Sequence, residues 1–175
     1  MIIRDALEGD LEPITAIYNE VLLNTTAIYR DEPATIADRI AWWQSRREQN
    51  YPMLVASVGN SVMGFATFGD FRPWPGYRYT VEHTVHVHAS SRGQGLGSAL
   101  MQALIARAGA LGKHVIIGGI DAANIGSLRM HERLGFERTA HLKQVGFKFG
   151  RYLDLVFVQL TLRDSSIGEP RRNVP

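Results

Sequence analysis

Arg92-Gly93-Gln94-Gly95-Leu96-Gly97-Ser98 stands between a strand-like segment and a helix-like one. Before it, Tyr79 to Val87 alternates residue types and is β-branched at several positions; after it, Leu100, Leu104, Ile105 and Ala108 recur at helical spacing within Ser98 to Leu111. Glycines at 93, 95 and 97 let the backbone turn sharply and present several N–H groups. The following helix adds the positive end of its dipole, so the junction suits a pyrophosphate. Neither the Gly-x-Gly-x-x-Gly spacing of dinucleotide folds nor the Walker ending Gly-Lys-Ser/Thr is present, which disfavours both of those ligand classes. Taken alone, the segment fits an anion site or a turn without a ligand, and its neighbours must decide.

Working outward, Met53 to Val58 pairs with Val62 to Phe68 across Gly59-Asn60, a hairpin. Upstream, Ile2 to Arg4 reads as a strand, and Asp10 is expected to cap a helix carrying Leu11, Ile14, Ile17, Tyr18, Val21 and Leu22. Thr35-Ile36-Ala37-Asp38 resembles a capping box, with Ile36, Ile40, Trp43 and Arg47 on one side of the helix that Pro52 closes. Phe71 to Tyr77 holds two prolines, a glycine and three aromatics, too much apolar surface for a linker, and is expected to line a pocket. Downstream, His114 to Ile120 reads as a buried strand and Asn124 to Leu134 as a helix stopped by Gly135. Phe136 and Tyr152 to Leu162 suggest two closing strands. This order requires a mixed sheet with helices on its faces, an α/β sandwich.

The 175 residues, 45% of them hydrophobic, suit one domain, assigned to residues 1–163, with 164–175 expected to form a flexible tail. A net charge of +2 without a basic block gives no reason to expect nucleic acid. The absence of cysteine excludes disulfides, thiolate metal sites and a cysteine nucleophile. With no signal-like start and no apolar run near the length of a span, the reading is a soluble cytoplasmic protein without a membrane partner.

Arg92 to Gly97 matches the pattern Arg/Gln-x-x-Gly-x-Gly/Ala, and Asn124, Ser127, Arg133, Gly135 and Phe136 form a second ordered segment. Together they resemble the cofactor-binding motifs of the GNAT superfamily of N-acetyltransferases. The likeness is closer to the phosphinothricin and methionine sulfoximine acetyltransferases. It is carried by Tyr79-Thr80-Val81-Glu82-His83-Thr84-Val85-His86-Val87, by Met130-His131-Glu132 and by Val145-Gly146-Phe147-Lys148-Phe149-Gly150.

The resemblance implies a single-domain α/β fold whose mixed, mostly antiparallel sheet splays open, with helices on both faces. It implies acetyl-CoA as cosubstrate and no metal. The pantetheine arm would lie along Val85, His86 and Val87, the pyrophosphate at Arg92, Gly93, Gln94, Gly95, Leu96, Gly97 and Ser98, with further contacts from Asn124, Ser127 and Arg133. A homodimer is also implied.

Transfer to an α-amine needs that amine neutral, while its ordinary pKa of about 7.7–8.0 leaves it largely protonated. Glu82 interrupts an apolar strand, where burial raises a carboxyl toward a useful basicity, and is the candidate base; a structural ion pair is the alternative reading. The resemblance places His131 where many relatives carry a proton-donating tyrosine, and a histidine of ordinary pKa can donate; a packing role is the alternative. His83, His86 and His88 alternate along one strand but lack a further ligand set at metal spacing. Arg72, Trp74, Tyr77 and Arg78 place guanidinium groups among aromatics before Glu82, which suits a small amino acid with a carboxylate. His83, Thr84 and Lys148 complete the expected acceptor pocket. The acceptor implied is an amino-acid analogue such as methionine sulfoximine, methionine sulfone or phosphinothricin. A polyamine, an aminoglycoside, a protein N-terminus or a silent CoA-binding module are the alternatives.

Overall fold

The computed structural model describes residues 1–162, so the tail expected at 164–175 lies outside the described residues. In chain order the elements are β1 (Ile2–Asp5), α1 (Leu11–Asn24), α2 (Ile36–Glu48), β2 (Met53–Val58), β3 (Ser61–Asp70) and β4 (Thr80–Val87). They continue with α3 (Leu96–Ala110), β5 (Val115–Asp121), α4 (Ile125–Arg133), β6 (Glu137–Lys148) and β7 (Arg151–Thr161). The seven strands form one open sheet in the order β1-β2-β3-β4-β5-β7-β6. Only β4 and β5 run parallel; the other neighbours are antiparallel.

Because side chains alternate along strands, the central strands feed two cores. On one face Leu100, Met101, Leu104 and Ala108 of α3 pack with Leu128 of α4 against Ala66, Phe68, Val81 and Ile116. On the other, Ile14, Ile17 and Leu22 of α1 and Trp43 of α2 cover Val55 and Phe65. Each large apolar side chain buried this way contributes about 1.5–3 kcal/mol relative to exposure, and this anchors α3 and the glycine junction at its start.

Two local expectations are corrected. Asp10 does not cap α1: its carboxylate takes both Arg4 guanidinium nitrogens, at 2.5 and 2.9 Å, and the Leu7 N–H at 2.8 Å. It fastens the turn before α1 to β1, because an arginine lies within reach on the adjacent strand. The capping box at Thr35 and Asp38 is present, but Ile36 at its start is exposed. Arg39 is buried beside Trp43 instead, with its guanidinium 4.1 Å from the Tyr18 ring centroid and 4.5 Å from that of Trp42. Aromatic faces thus accept a cation on a side that hydrophobic spacing assigned to isoleucine.

The feature that positions the site is a parting of strands. β4 and β5 pair only at Thr80↔Val115, Val81↔Ile116 and Glu82↔Ile117. Beyond these, β4 stays with β3 as far as Val87, while β5 stays with β7 as far as Asp121. From His83 and Gly118 onward the sheet is therefore open between them.

Candidate active site

A cavity of about 1180 Å³ occupies this opening. Its walls include both faces of β4, since His86 packs edge-on against Tyr18 of α1 while His83 stacks on His131 of α4. Glu82 shares the α1 side: a Cβ built at Gly119 would lie 3.6 Å from Glu82 Oε1. The cavity thus reaches both faces of the sheet, lined by the glycine junction and α4 and by α1 with residues 24–28.

The structure gathers most of the sequence-derived residues on this cavity. Glu82, His83, Thr84, Val85, His86 and Val87 line it from β4. Arg92, Gly93, Gly95, Leu96, Gly97 and Ser98 line it from the junction, and Asn124, Ser127, His131 and Arg133 from α4 and its start. Gly93 and Gly95 take φ of +76° and +86°, which a side chain would oppose, and the space beside each is open. Gly97 answers a different need, because a Cβ there would lie 3.1 Å from Met130 Sδ. Gln94 turns away and donates to the Ser90 carbonyl at 2.9 Å. Arg92 ties the junction down, bonding the Val87 carbonyl at 3.1 Å and Glu20 at 2.6 Å. Asn124 caps α4 by accepting the Ser127 N–H at 3.1 Å.

The titratable groups are set mainly by burial. Glu82 is half-buried and its pKa is raised, because desolvation outweighs the opposing pull of the Arg72 charge. Burial pushes His83 down to about 3, with His131 and His86 adding to it, and His86 down to about 4, with Arg92 and Arg39 adding to it. His131 is also lowered by burial, against a Ser127 hydrogen bond that raises it.

His131 Nδ1 lies 2.8 Å from the Ser127 carbonyl, which can only accept, so Nδ1 carries the proton and Nε2 a lone pair. That Nε2 is buried without a partner. Burial works against the expectation that His131 donates a proton near neutral pH, while its hydrogen bond to Ser127 works for it. His83 is not placed with the acceptor groups: it lies on the α4 side, 4.8 Å from His131 and nearly parallel to it, at 15°.

Two further acceptor expectations fail on geometry. Arg72, Trp74, Tyr77 and Arg78 do not line the cavity. The loop folds on itself: Arg72 lies over Phe71 at 4.2 Å and Arg78 over Tyr79 at 4.7 Å, while Trp74 is 70% exposed. Of the four, Arg72 alone bears on the site, through its charge on Glu82. Lys148 is buried and donates to the carbonyls of Leu22, Thr25 and Ile28, so its ammonium is consumed inside the fold. Sequence reading also missed a whole wall, made of Tyr18, Thr25 to Ile28, Phe149 and Arg151. Its only signal was the irregular composition between α1 and α2, which marks a loop and does not say where the loop lands.

His86 and His88 share strand parity, yet His86 packs on Phe65 and His88 bonds Ser90. Among the described residues no group of three His, Cys, Asp or Glu side chains could hold a metal ion. No helix among them is long and apolar enough to cross a membrane.

Known proteins are similar to this chain. An L-methionine sulfoximine/L-methionine sulfone acetyltransferase of Pseudomonas aeruginosa is 49% identical over 99% of this chain and 98% of its own. A phosphinothricin N-acetyltransferase of Streptomyces coelicolor is 35% identical over 91% of this chain and 95% of its own. The Salmonella typhimurium protein yncA, solved with its cofactor acetyl-CoA, superposes with a TM-score of 0.93 at 46% identity, covering 97% of this chain and 98% of that one. Residues 14–136 match the model of the acetyltransferase (GNAT) family, and with the splayed sheet and glycine junction in place the chain belongs to that family of acetyl-transferring enzymes.

Proposed function

We propose that this enzyme moves acetyl from acetyl-CoA to the α-amine of a small amino-acid analogue of the methionine sulfoximine, methionine sulfone or phosphinothricin kind. The observation that carries the reading is the placing of Glu82. It is a half-buried carboxyl of raised basicity in a cavity that a phosphate-suited glycine turn also lines. The cofactor groups fit what is present: positive-φ glycines with open space beside them, the start of α3, and strand edges freed by the splay to pair with an amide-bearing arm.

Glu82, directly or through water, takes one proton from the acceptor ammonium, and the freed nitrogen attacks the thioester carbon. The C–N bond forms, the C–S bond breaks, and the nitrogen's surplus proton passes, through solvent, to the departing sulfur, which leaves as the thiol of CoA. Glu82 then returns its proton to water. His131, on the cavity wall, is the candidate group beside the departing sulfur. Arg72 tunes Glu82 by charge.

A dimer is part of the proposal, supported by Val145, Phe147, Phe149 and Tyr152, each more than half exposed on β6, β7 and the turn between them. Sedimentation is expected to give twice the chain mass; a monomer at micromolar concentration removes the dimer.

The purified protein, given acetyl-CoA and a panel of the three analogues, spermidine, an aminoglycoside and a peptide with a free N-terminal alanine, is expected to release CoA fastest with an analogue. A preference for the polyamine or the peptide replaces the acceptor, and no release with any amine refutes transfer.

A further inference from the structure

Residues 25–35 carry no helix or strand, yet Thr25 to Ile28 form part of the cavity wall on the α1 side. Something other than regular backbone pairing must hold them. Lys148, the last residue of β6, is 3% exposed, and its ammonium meets three carbonyls: Leu22, Thr25 at 3.0 Å and Ile28 at 2.7 Å. The Leu22 carbonyl lies in the last turn of α1, where helix geometry leaves acceptors without intrahelical donors. Three protons are matched by three oxygens, one on the last turn of α1 and two on the irregular segment that follows it. The same nitrogen lies 4.9 Å from the Phe149 ring centroid, and Phe149 also lines the cavity.

Two further side chains pin the segment to the sheet. Thr26 Oγ1 donates to Asp121, the buried end of β5, whose other oxygen accepts the Ala123 N–H at 3.0 Å. The Tyr29 ring lies against Gly146, where a Cβ would come within 2.3 Å of it, and its hydroxyl reaches the Asp154 carbonyl at 3.4 Å. The segment is thus strapped to β5, β6 and β7 at once, with Lys148 joining its first residues to the end of α1.

We propose that Lys148 is a positioning residue that holds residues 24–28 and Phe149 as the acceptor-side wall, and so sets affinity for the acceptor amine and not for acetyl-CoA. This rests on the reading that acetyl-CoA enters from the glycine junction and the acceptor from the α1 side. Lys148 touches neither. Its ammonium fixes the positions of three carbonyls, and through them the shape of the wall that faces Glu82.

The test compares wild type with Lys148→Met, Lys148→Arg and Thr26→Val. Three quantities are read: acceptor KM and kcat, acetyl-CoA Kd by titration, and the rate of tryptic cleavage after the exposed Arg30. Lys148→Met is expected to raise acceptor KM at least about tenfold with kcat within about threefold and acetyl-CoA Kd within about twofold, the pattern of lost ground-state binding. Cleavage after Arg30 should rise about tenfold or more, because the segment opens more often. Lys148→Arg should recover part of both, and Thr26→Val should shift both in the same direction by less.

Unchanged KM together with unchanged cleavage overturns the proposal, as does an acetyl-CoA Kd that weakens in step with acceptor KM. If Lys148→Met does not fold, Thr26→Val and Lys148→Arg decide by the same two readouts. If wild type acetylates no amine, the transfer reading falls on its own, and cleavage after Arg30 still tests the clamp: faster supports it, unchanged refutes it.

Discussion

Replacing Glu82 with glutamine is expected to lower kcat/KM for the acceptor by about 10²- to 10⁴-fold near neutral pH, the usual range for removing a positioned base. Glutamine keeps the size and hydrogen-bonding of the side chain, so the loss isolates proton transfer. The pH profile separates this from misfolding. In wild type the active form of Glu82 is ionised, so kcat/KM should rise with pH through a carboxyl pKa held above its ordinary value by burial. In Glu82→Gln that rise should vanish, leaving only the ascent from the acceptor's own amine.

Stability should move the other way. A carboxyl whose folded pKa is raised binds its proton more tightly when folded, so its contribution is present at low pH and lost as pH climbs through the folded value. At neutral pH ionised Glu82 is therefore a charge the fold tolerates at a cost. Glu82→Gln should melt no lower than wild type. A variant that keeps its pH rise, or that loses activity only by melting early, would remove Glu82 as the base.

The geometry of β4 and β5 explains why some of this was legible and some was not. The glycine junction is written in the chain because two positive φ angles and one close approach to Met130 each disfavour a side chain, at Gly93, Gly95 and Gly97. The same holds for α3 and the hairpin of β2 and β3, where local periodicity and a turn residue at Gly59 act together. Strand β6 could not be read beyond its start. It is an edge strand, largely exposed and broken by irregular register near Arg138 and Leu142, so no alternation of apolar residues marks it.

The errors share one cause. Arg72 and Lys148 were placed by the chemistry of their side chains, but their partners are nonlocal or are themselves backbone. Lys148 meets carbonyls about 120 positions earlier in the chain, and no spacing rule announces that. His131 was assigned a solution pKa, whereas burial lowers that pKa and the Ser127 carbonyl takes its Nδ1 side, leaving Nε2 buried without a partner. Residue type suggested the reaction, while the direction of each proton depended on packing.

The second large effect concerns the point where the strands part. Gly118 follows the last β5 residue paired to β4, and a Cβ there would come 2.2 Å from His83 Nε2 and 3.0 Å from its Cε1. The ring is packed on two sides: it is stacked on His131 at 4.8 Å and meets Phe136 edge-on at 5.8 Å. Gly118→Ala is therefore expected to cost about 1–3 kcal/mol, the usual penalty for overfilling a packed interior. At about 2–4 °C per kcal/mol for a chain of this size, the melting temperature should fall by about 2–12 °C.

Displacing His83 must also move His131 or widen the splay, and both line the cavity. Acetyl-CoA Kd should consequently weaken by about tenfold, equivalent to about 1.4 kcal/mol. His83→Ala alone leaves a void and is destabilising in its own right, yet in the Gly118→Ala background it removes the atoms that clash. The double variant should then be at least about 1 kcal/mol more stable than the sum of the single effects, a coupling expected only for residues in direct contact. Additive losses would show that the ring yields easily, and Gly118 would be an ordinary strand glycine. Strong coupling together with weakened acetyl-CoA binding identifies the histidine ring and the glycine beneath it as one fitted pair, which keeps β4 and β5 apart at the width the cavity needs.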